Sequence, residues 1–373
     1  MYDLSKLMAA AKPRERSDQY IILSALVSLD AHISPVTARQ VGDLLRLHMG
    51  GKAPSNVNSC LRNYKLYVSP ADKGPPIKWQ LTDQGISRVR ELSGLPLAPP
   101  TVSETFKSDL GIICALEQPE FCAVMQAFGG PQRWKEVGTA RYTHVYRETS
   151  LTTSKGRQLR VIGTTSTSMG LTAAAIATTQ LVLQFQPRLV AMIGIAAGTR
   201  SGAKQYGDVL VADPSIDYNS GKVVIEKGIR NFEPDPYPIG LNPRLRSLLH
   251  KYRGSPELFD VIRNKWKGKI IKHSNRLHIG PLGAADQVID DASRILEIQR
   301  NWRKLIGVEM ETYGVYRAVH ESPDPKPRVV SFKAVCDFAS EKTDSWQDYA
   351  AYVAAEFAVE FLKREWDSLW PTN

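Results

Sequence analysis

Cysteine is scarce and unpatterned in this sequence. Cys60, Cys114, Cys122 and Cys336 are scattered, with no CxxC pair and no histidine cluster beside them. That argues against a disulfide framework and a zinc site, and it fits reduced cytoplasmic thiols. Long hydrophobic runs are missing too. No uninterrupted apolar segment approaches the ~20 residues that cross a bilayer, and Met1-Tyr2-Asp3-Leu4-Ser5-Lys6 lacks the apolar core of a signal peptide. Internal repeats and low-complexity tracts are absent. What is present is ordinary for a cytoplasmic globular protein with no membrane contact: 43% hydrophobic and 23% charged residues in 373, enough chain for two domains.

Charge is unevenly spread. Residues 1–100 carry 13 Lys and Arg against 8 Asp and Glu, half of the net +10 in little more than a quarter of the length. A basic balance favours anionic partners without choosing among them. Nucleic acid is the expectation for the first hundred residues, and phosphorylated small molecules for the rest.

The run Ser93-Gly94-Leu95-Pro96-Leu97-Ala98-Pro99-Pro100-Thr101 divides the chain, because three prolines and a glycine continue neither helix nor strand. The expected division is residues 1–93, a Pro-rich linker over 94–107, and a larger unit over 108–373. Within the first, Tyr20–Val27 reads as an apolar helix. Ser34-Pro35 opens a second over Val36–Leu47, and Ser55–Asn58 starts a third that carries Arg62 and Lys65. Strands at Leu66–Val68 and Ile77–Leu81 flank a Pro/Gly turn, and Thr82 caps a last helix over Asp83–Leu92. Tyr64, Tyr67 and Trp79 are assigned to packing. This order resembles a winged helix-turn-helix, which implies contact with DNA or with protein.

The larger unit alternates the two periods. Asp109–Leu116, Gln158–Thr164, Pro187–Ile195 and Gly207–Ala212 read as buried strands, followed by strands near 276–279, 303–309 and 328–335. Gly170–Phe185 is an Ala-rich helix, and a long one runs from about Trp346 to Trp366. Such alternation implies an α/β fold: a three-layer α/β/α sandwich on a mixed, mostly parallel sheet.

Acidic residues stand where two of these strands run out. Glu309, Met310 and Glu311 follow one, and Asp337 ends another. In a parallel sheet both ends face one crevice, where ligands bind. Three carboxylates and a thioether there suit a polyhydroxylated ligand with an apolar ring, as in a nucleoside. Considered singly, Asp337 also reads as a helix cap or loop residue, and the glutamates as residues that satisfy the dipole of a helix starting near Met310.

Six segments in order over residues 108–365 resemble the purine nucleoside phosphorylases and methylthioadenosine/adenosylhomocysteine nucleosidases. They are Ile112–Leu116 with Glu120 close behind, Ser168-Met169-Gly170, Gly194-Ile195-Ala196-Ala197-Gly198, Gly207–Ala212, Val308–Glu311, and Cys336-Asp337. The resemblance implies cleavage of an N-glycosidic bond, with neither metal nor organic cofactor. Asp337 matches the aspartate that serves purine N7, where desolvation by the apolar strand helps keep a proton. Glu120 matches the glutamate that positions and deprotonates water in hydrolytic members; Glu117 competes for that role. Glu309, Met310 and Glu311 match the ribose site, with Glu311 on the 2′- and 3′-hydroxyls. Ala197 and Gly198 belong to the loop that borders sugar and nucleophile, Met169 is a further substrate-binding position, and Asp286-Gln287-Val288-Ile289 lines the base. Val288 stands where classical nucleosidases stack an aromatic residue, and Cys336 stands for the family's serine.

The strand before Gly194 lacks the arginine with which phosphorylases hold phosphate, so the resemblance favours hydrolysis, with free base and a ribose product. A phosphate-dependent phosphorylase is one alternative; a transcription regulator that only senses a nucleotide is another. Phe332–Ala339 running into Trp346–Ala351 resembles nucleosidase domains fused to other modules in bacterial defence and fungal signalling proteins, and some of the defence relatives attack nucleotides such as ATP. A triphosphate would call on Arg141, Arg147, Lys155, Arg157, Arg200, Lys204 and Arg230. Family members commonly dimerise, so a homo-oligomer is expected.

Overall fold

The computed structural model describes residues 4–11, 17–29, 31, 35–71, 75–93, 106–138, 143–226, 228–339 and 344–371. They fall into two compact units, Met1–Glu104 and Thr105–Asn373. The proline-rich run after Ser93 lies outside the described residues. No helix among them is long and apolar enough to cross a membrane.

Unit 1 comprises α1 (Leu4–Ala10), α2 (Asp18–Ser28), β1 (Val36–Thr37), α3 (Ala38–Met49), α4 (Val57–Asn63), β2 (Val68–Pro70), β3 (Lys78–Leu81) and α5 (Asp83–Ser93). The strands form an antiparallel sheet in the order β1-β3-β2. α2 is apolar nearly all round and is the buried centre of the unit, as such composition requires. Two expectations need correction. The helix read from Val36 begins at Ala38, because Val36 and Thr37 pair with Trp79 and Lys78 as a strand. Its cap is Thr37, which forms a reciprocal capping box with Gln40 in place of the anticipated Ser34-Pro35 start. Lys65 lies in the turn after α4, not on the helix. Trp79 is buried, with Tyr64 and Tyr67 half-buried around the same core.

Unit 2 runs β4 (Ser108–Cys114), α6 (Cys122–Ala127), β5 (Lys135–Val137), β6 (Tyr146–Thr152), β7 (Gln158–Thr165), α7 (Leu171–Phe185), β8 (Pro187–Gly198), β9 (Val209–Asp217), β10 (Gly221–Glu226), β11 (Ile229–Pro234), α8 (Pro243–His250), α9 (Pro256–Lys265), β12 (Leu277–Ala284), α10 (Ala292–Asn301), β13 (Gly307–Glu309), α11 (Thr312–His320), β14 (Arg328–Asp337) and α12 (Gln347–Leu369). Nine described strands form one sheet in the order β13-β12-β9-β14-β8-β4-β7-β6-β5. It is parallel along β14-β8-β4-β7 and β9-β12-β13, and antiparallel at β14-β9 and at the β7-β6-β5 edge. The fold is therefore mixed α/β on a mostly parallel mixed sheet.

Two features place the site. β13 is short, yet it also pairs antiparallel with β8 (Gly307 with Gly198, Val308 with Ala197), so one end of the sheet curls closed. α12 packs on β14, β8 and α6 and buries most of its length, fixing the central strands from behind. The central strands are buried on both faces, which explains their unbroken apolar sequence.

Candidate functional site

At the C-terminal end of β4 the chain makes an irregular turn over Glu117–Phe121, with Gln118 in an extended conformation, before α6. The turn folds the Glu120 side chain back beneath the strand end. Its Oε2 accepts the N–H groups of Ala115 and Leu116 at 2.8 and 3.0 Å, and its Oε1 accepts that of Ile195 on β8 at 2.8 Å. A carboxylate lies this close to a central strand because residue 194 is glycine. A Cβ there would stand 2.0 Å from Glu120 Oε1. Gly194 thus gives room to an acid inside β8, which continues to Gly198.

β13 delivers the second acid. Glu309 ends the strand and accepts the N–H groups of Glu311 and Thr312 at 3.0 Å, so it caps α11. Glu311 turns the other way and accepts the Gly170 N–H at 3.1 Å. Gly170 has φ 114°, a conformation other residues rarely adopt, and a Cβ on it would meet Asp286 Oδ1 at 2.5 Å. That geometry lets the start of α7 rest on two carboxylates at once, since Leu171 N–H donates to Asp286 at 2.6 Å.

Between the three glutamates lies Lys333 of β14, wholly buried. Its Nζ is 3.2 Å from Glu309, 3.5 Å from Glu311 and 3.9 Å from Glu120. Burial alone would lower its pKa, but the three carboxylates outweigh burial and raise it above the ordinary lysine value. The ammonium therefore stays charged. Burial raises the Glu120 carboxyl, with Lys333 pulling it down and Glu311 pushing it up. Glu309 is raised by burial in the same way, again opposed by Lys333. One cation does not compensate three buried anions, so the cluster holds a proton more readily than free glutamates do.

Asp337 ends β14, four residues beyond Lys333. Its Oδ1 accepts the Ala339 N–H at 2.7 Å, and the Cys336 thiol approaches its Oδ2 at 3.4 Å. Beyond it Phe338 packs edge-on to Tyr206, which stacks flat on Trp346 at 4.5 Å, and the Arg200 guanidinium covers Phe338. Ala196 and Ala197 of β8 pair with Val335 and Asp337, and the strand register shifts at Cys336 between them. Together these elements enclose a cavity of about 180 Å³. Glu120, Glu309, Glu311 and Asp337 are its acidic lining residues, and Leu116, Met169, Ile195, Val288, Ile289, Val308 and Met310 are apolar ones. Carboxylates together with aliphatic groups in one cavity match a sugar and a planar base.

Met169, Ala197, Glu120, Val288, Glu309, Met310, Glu311 and Asp337, anticipated from sequence, all line this cavity. Gly198 does not. It pairs with Gly307 and packs under the Val335 side chain. Glu117 points away and pairs with Arg147 at 3.0 Å. The basic set does not converge on the described lining. Arg157 pairs with Asp109, Lys204 bonds the Thr199–Ser201 loop, and Lys155 and Arg230 are exposed. Arg141 lies outside the described residues. Lys333 is the residue that sequence reading passed over. Its signal was present: a lysine in Val329-Val330-Ser331-Phe332-Lys333-Ala334-Val335, a strand otherwise free of charge, requires buried partners.

Comparison with known proteins fits this geometry. The model of the phosphorylase superfamily matches residues 109–364, more than half of the chain. An uncharacterised Sinorhizobium fredii protein, y4jS, is 29% identical over 253 residues, 68% of this chain and 60% of its own. The ATP nucleosidase Cap17 of Escherichia coli is 24% identical over 259 residues, 66% of this chain. The chain spans only half of that relative's length. The 5′-methylthioadenosine/S-adenosylhomocysteine nucleosidase of Pseudoalteromonas translucida is 25% identical, over 69% of this chain and 97% of its own. Among solved structures, the Helicobacter pylori nucleosidase of the same name superposes with a TM-score of 0.52 at 18% identity, covering 69% of this chain and 99% of its own. The futalosine hydrolase of that organism gives 0.50 at 17%, covering 69% and 97%. These two establish likeness of fold.

Proposed function

The chain belongs to the phosphorylase superfamily, and from that premise we propose that it is an N-glycosidase which hydrolyses the bond between purine and ribose in a nucleoside or nucleotide. The observation that carries this reading is the pairing of charges within the buried cluster. Phosphorolysis needs a free cation for phosphate. The cation beneath this cavity, Lys333, is already shared by Glu120, Glu309 and Glu311. A phosphate dianion beside three carboxylates would be repelled, whereas a neutral water hydrogen-bonded to Glu120 would not.

In the proposed reaction Glu311 accepts hydrogen bonds from the ribose 2′- and 3′-hydroxyls, and Met310 packs on the sugar. The bond from C1′ to the purine nitrogen lengthens and its electron pair moves into the base, leaving oxocarbenium character on the ribosyl group. The surrounding carboxylates favour that developing positive charge. Asp337 delivers a proton to N7 as the base leaves. Water, aimed by Glu120, adds its oxygen to C1′ and gives up a proton to that carboxylate. Free base and a ribose product result. Val288, 60% exposed at the cavity rim, offers aliphatic contact to the base in place of a stacked ring. Unit 1 we read as a winged helix-turn-helix, with β2 and β3 as its wing.

Liquid chromatography of the protein incubated with adenosine, inosine, methylthioadenosine, AMP and ATP tests the reaction. Free base is expected without added phosphate. Release that depends on phosphate would overturn the hydrolase reading. The contact at Gly194 gives a sharper test of Glu120. Gly194→Ala should push the carboxylate out of line and lower kcat by roughly 10²-fold, the usual result of misplacing a catalytic group by about 1 Å. Undiminished turnover in a variant with wild-type circular dichroism would remove Glu120 from the water-positioning role.

A further inference from the structure

Unit 2 carries its excess positive charge in one place. Over Thr105–Asn373 there are 35 Lys and Arg against 29 Asp and Glu, a net +6. Residues 261–285 contribute Arg263, Lys265, Lys267, Lys269, Lys272 and Arg276 and not one acid, so the rest of the unit balances to zero. These cations occupy the end of α9 and the loop that leads to β12. Arg263 pairs with Asp260 at 2.9 Å. Lys265, Lys267, Lys269, Lys272 and Arg276 are exposed and form no ion pair among the described residues.

Contacts tie this loop to the rim of the acidic cavity. Lys269 Nζ stands 5.5 Å from the centroid of the Trp346 ring. His273 donates from Nε2 to the Tyr206 carbonyl at 2.7 Å, with its ring 6.2 Å from that of Trp346. Trp346 precedes Gln347, which lines the cavity, and Tyr206 packs on Phe338, the residue after Asp337. Arg200 lies 5.3 Å over the same Phe338. Asp348, at the start of α12, is exposed and pairs with none of these cations. The sign of charge therefore reverses between lining and rim. Four carboxylates repel a phosphate from the cavity itself, whereas lysines just outside it attract one. A neutral ribosyl-purine body with an anionic tail matches that reversal. Lys269 does not line the cavity, which favours a tail of several phosphates over a single one.

We propose that the Arg263–Arg276 stretch draws in and holds the phosphate tail of the substrate, so that the chain acts on purine nucleotides with a 5′-polyphosphate in preference to free nucleosides. The inference rests on the glycosidase reading for what enters the cavity, and it assigns the place of the ligand's charged part.

Calorimetric titration of the full chain with 9-deazaadenosine and with its 5′-triphosphate tests this, because their carbon–carbon ribosyl bond is not hydrolysed. The triphosphate is expected to bind roughly tenfold tighter than the nucleoside at about 50 mM salt, and to lose that advantage by about 500 mM as exposed charges are screened. Lys269→Glu with Lys272→Glu should weaken triphosphate binding roughly tenfold and leave the nucleoside within about twofold. The same change of charge at Lys107 and Lys155, exposed on the turns that precede the parallel strands β4 and β7, should cost little, since these turns lie at the opposite end of the sheet. Three outcomes overturn the proposal: equal affinity for the two ligands, a triphosphate advantage that survives in the Lys269 and Lys272 variant, or one lost as fully in the Lys107 and Lys155 variant. Base release from ATP is measured separately. Its absence would sink the glycosidase reading, and the calorimetric comparison would still decide where the phosphates bind.

Discussion

Replacing Asp337 with asparagine is expected to lower base release by roughly 10²- to 10⁴-fold, the range over which a positioned general acid contributes. The substitution keeps the shape of the side chain and its acceptor for the Ala339 N–H, so the strand end should hold. What it removes is the proton donated as the purine departs. The loss should therefore fall on kcat, with KM little changed. A riboside whose leaving group is 4-nitrophenolate departs without protonation. The variant should cleave it at close to the wild-type rate, while Glu120→Gln should fail on both substrates. Equal loss on both by the Asp337 variant would show that Asp337 does not act by proton transfer. Unchanged release of purine would remove it from the reaction altogether.

Asp337 was legible because its position is a one-dimensional fact. An apolar run long enough for a buried strand ends at it, and a parallel sheet sends strand ends to one edge. The same holds for Glu309 at the end of β13 and Glu311 just after it, and for the alternation that identified the mixed sheet. What stayed hidden needs neighbours from elsewhere in the chain. The space that Gly194 leaves for Glu120 joins β8 to a turn that follows β4, and nothing local distinguishes this glycine from one in a tight turn. The β13–β8 pairing rests on two residue pairs and closes the sheet without a sequence mark. Gly198 was placed in the site for its position in a motif, whereas register puts it beneath Val335. In unit 1, Ser34-Pro35 is a sound helix start by local rules. It lost to Thr37 because Trp79 and Lys78, some forty residues on, draw Val36 and Thr37 into a strand.

Lys333 makes the strongest case for neighbours, and its removal should have the largest effect on stability. Lys333→Met replaces an ammonium by an apolar chain of similar length. Three buried carboxylates are then left without a counter-ion. Breaking a buried ion pair in this way costs roughly 3–5 kcal/mol, about 10 °C in melting temperature for a domain of this size. The loss should depend on pH with a definite sign. Without Lys333, the partner that lowers both Glu120 and Glu309, their carboxyl groups rise further. A carboxyl raised in the folded state binds its proton more tightly there than in the unfolded chain. Stability of the variant should then fall as pH rises from the unfolded value of about 4.3 through the raised folded one. The melting deficit should be smallest at acid pH, below the unfolded carboxyl value, and should grow as pH rises through the raised folded ones.

Catalysis should report the same shift from the other side. Glu120 aims water only when ionised, so the wild-type rate declines as pH falls through its raised pKa. In any residual activity of Lys333→Met, that acid limb should move to higher pH. Lys333→Arg keeps the charge and should leave the limb near its wild-type place, whatever it costs in packing. A methionine variant with an unmoved limb and an unchanged melting temperature would mean that the lysine does not hold the three glutamates. The argument for hydrolysis over phosphorolysis would lose its footing with it, because a lysine free of those carboxylates is a lysine free for phosphate.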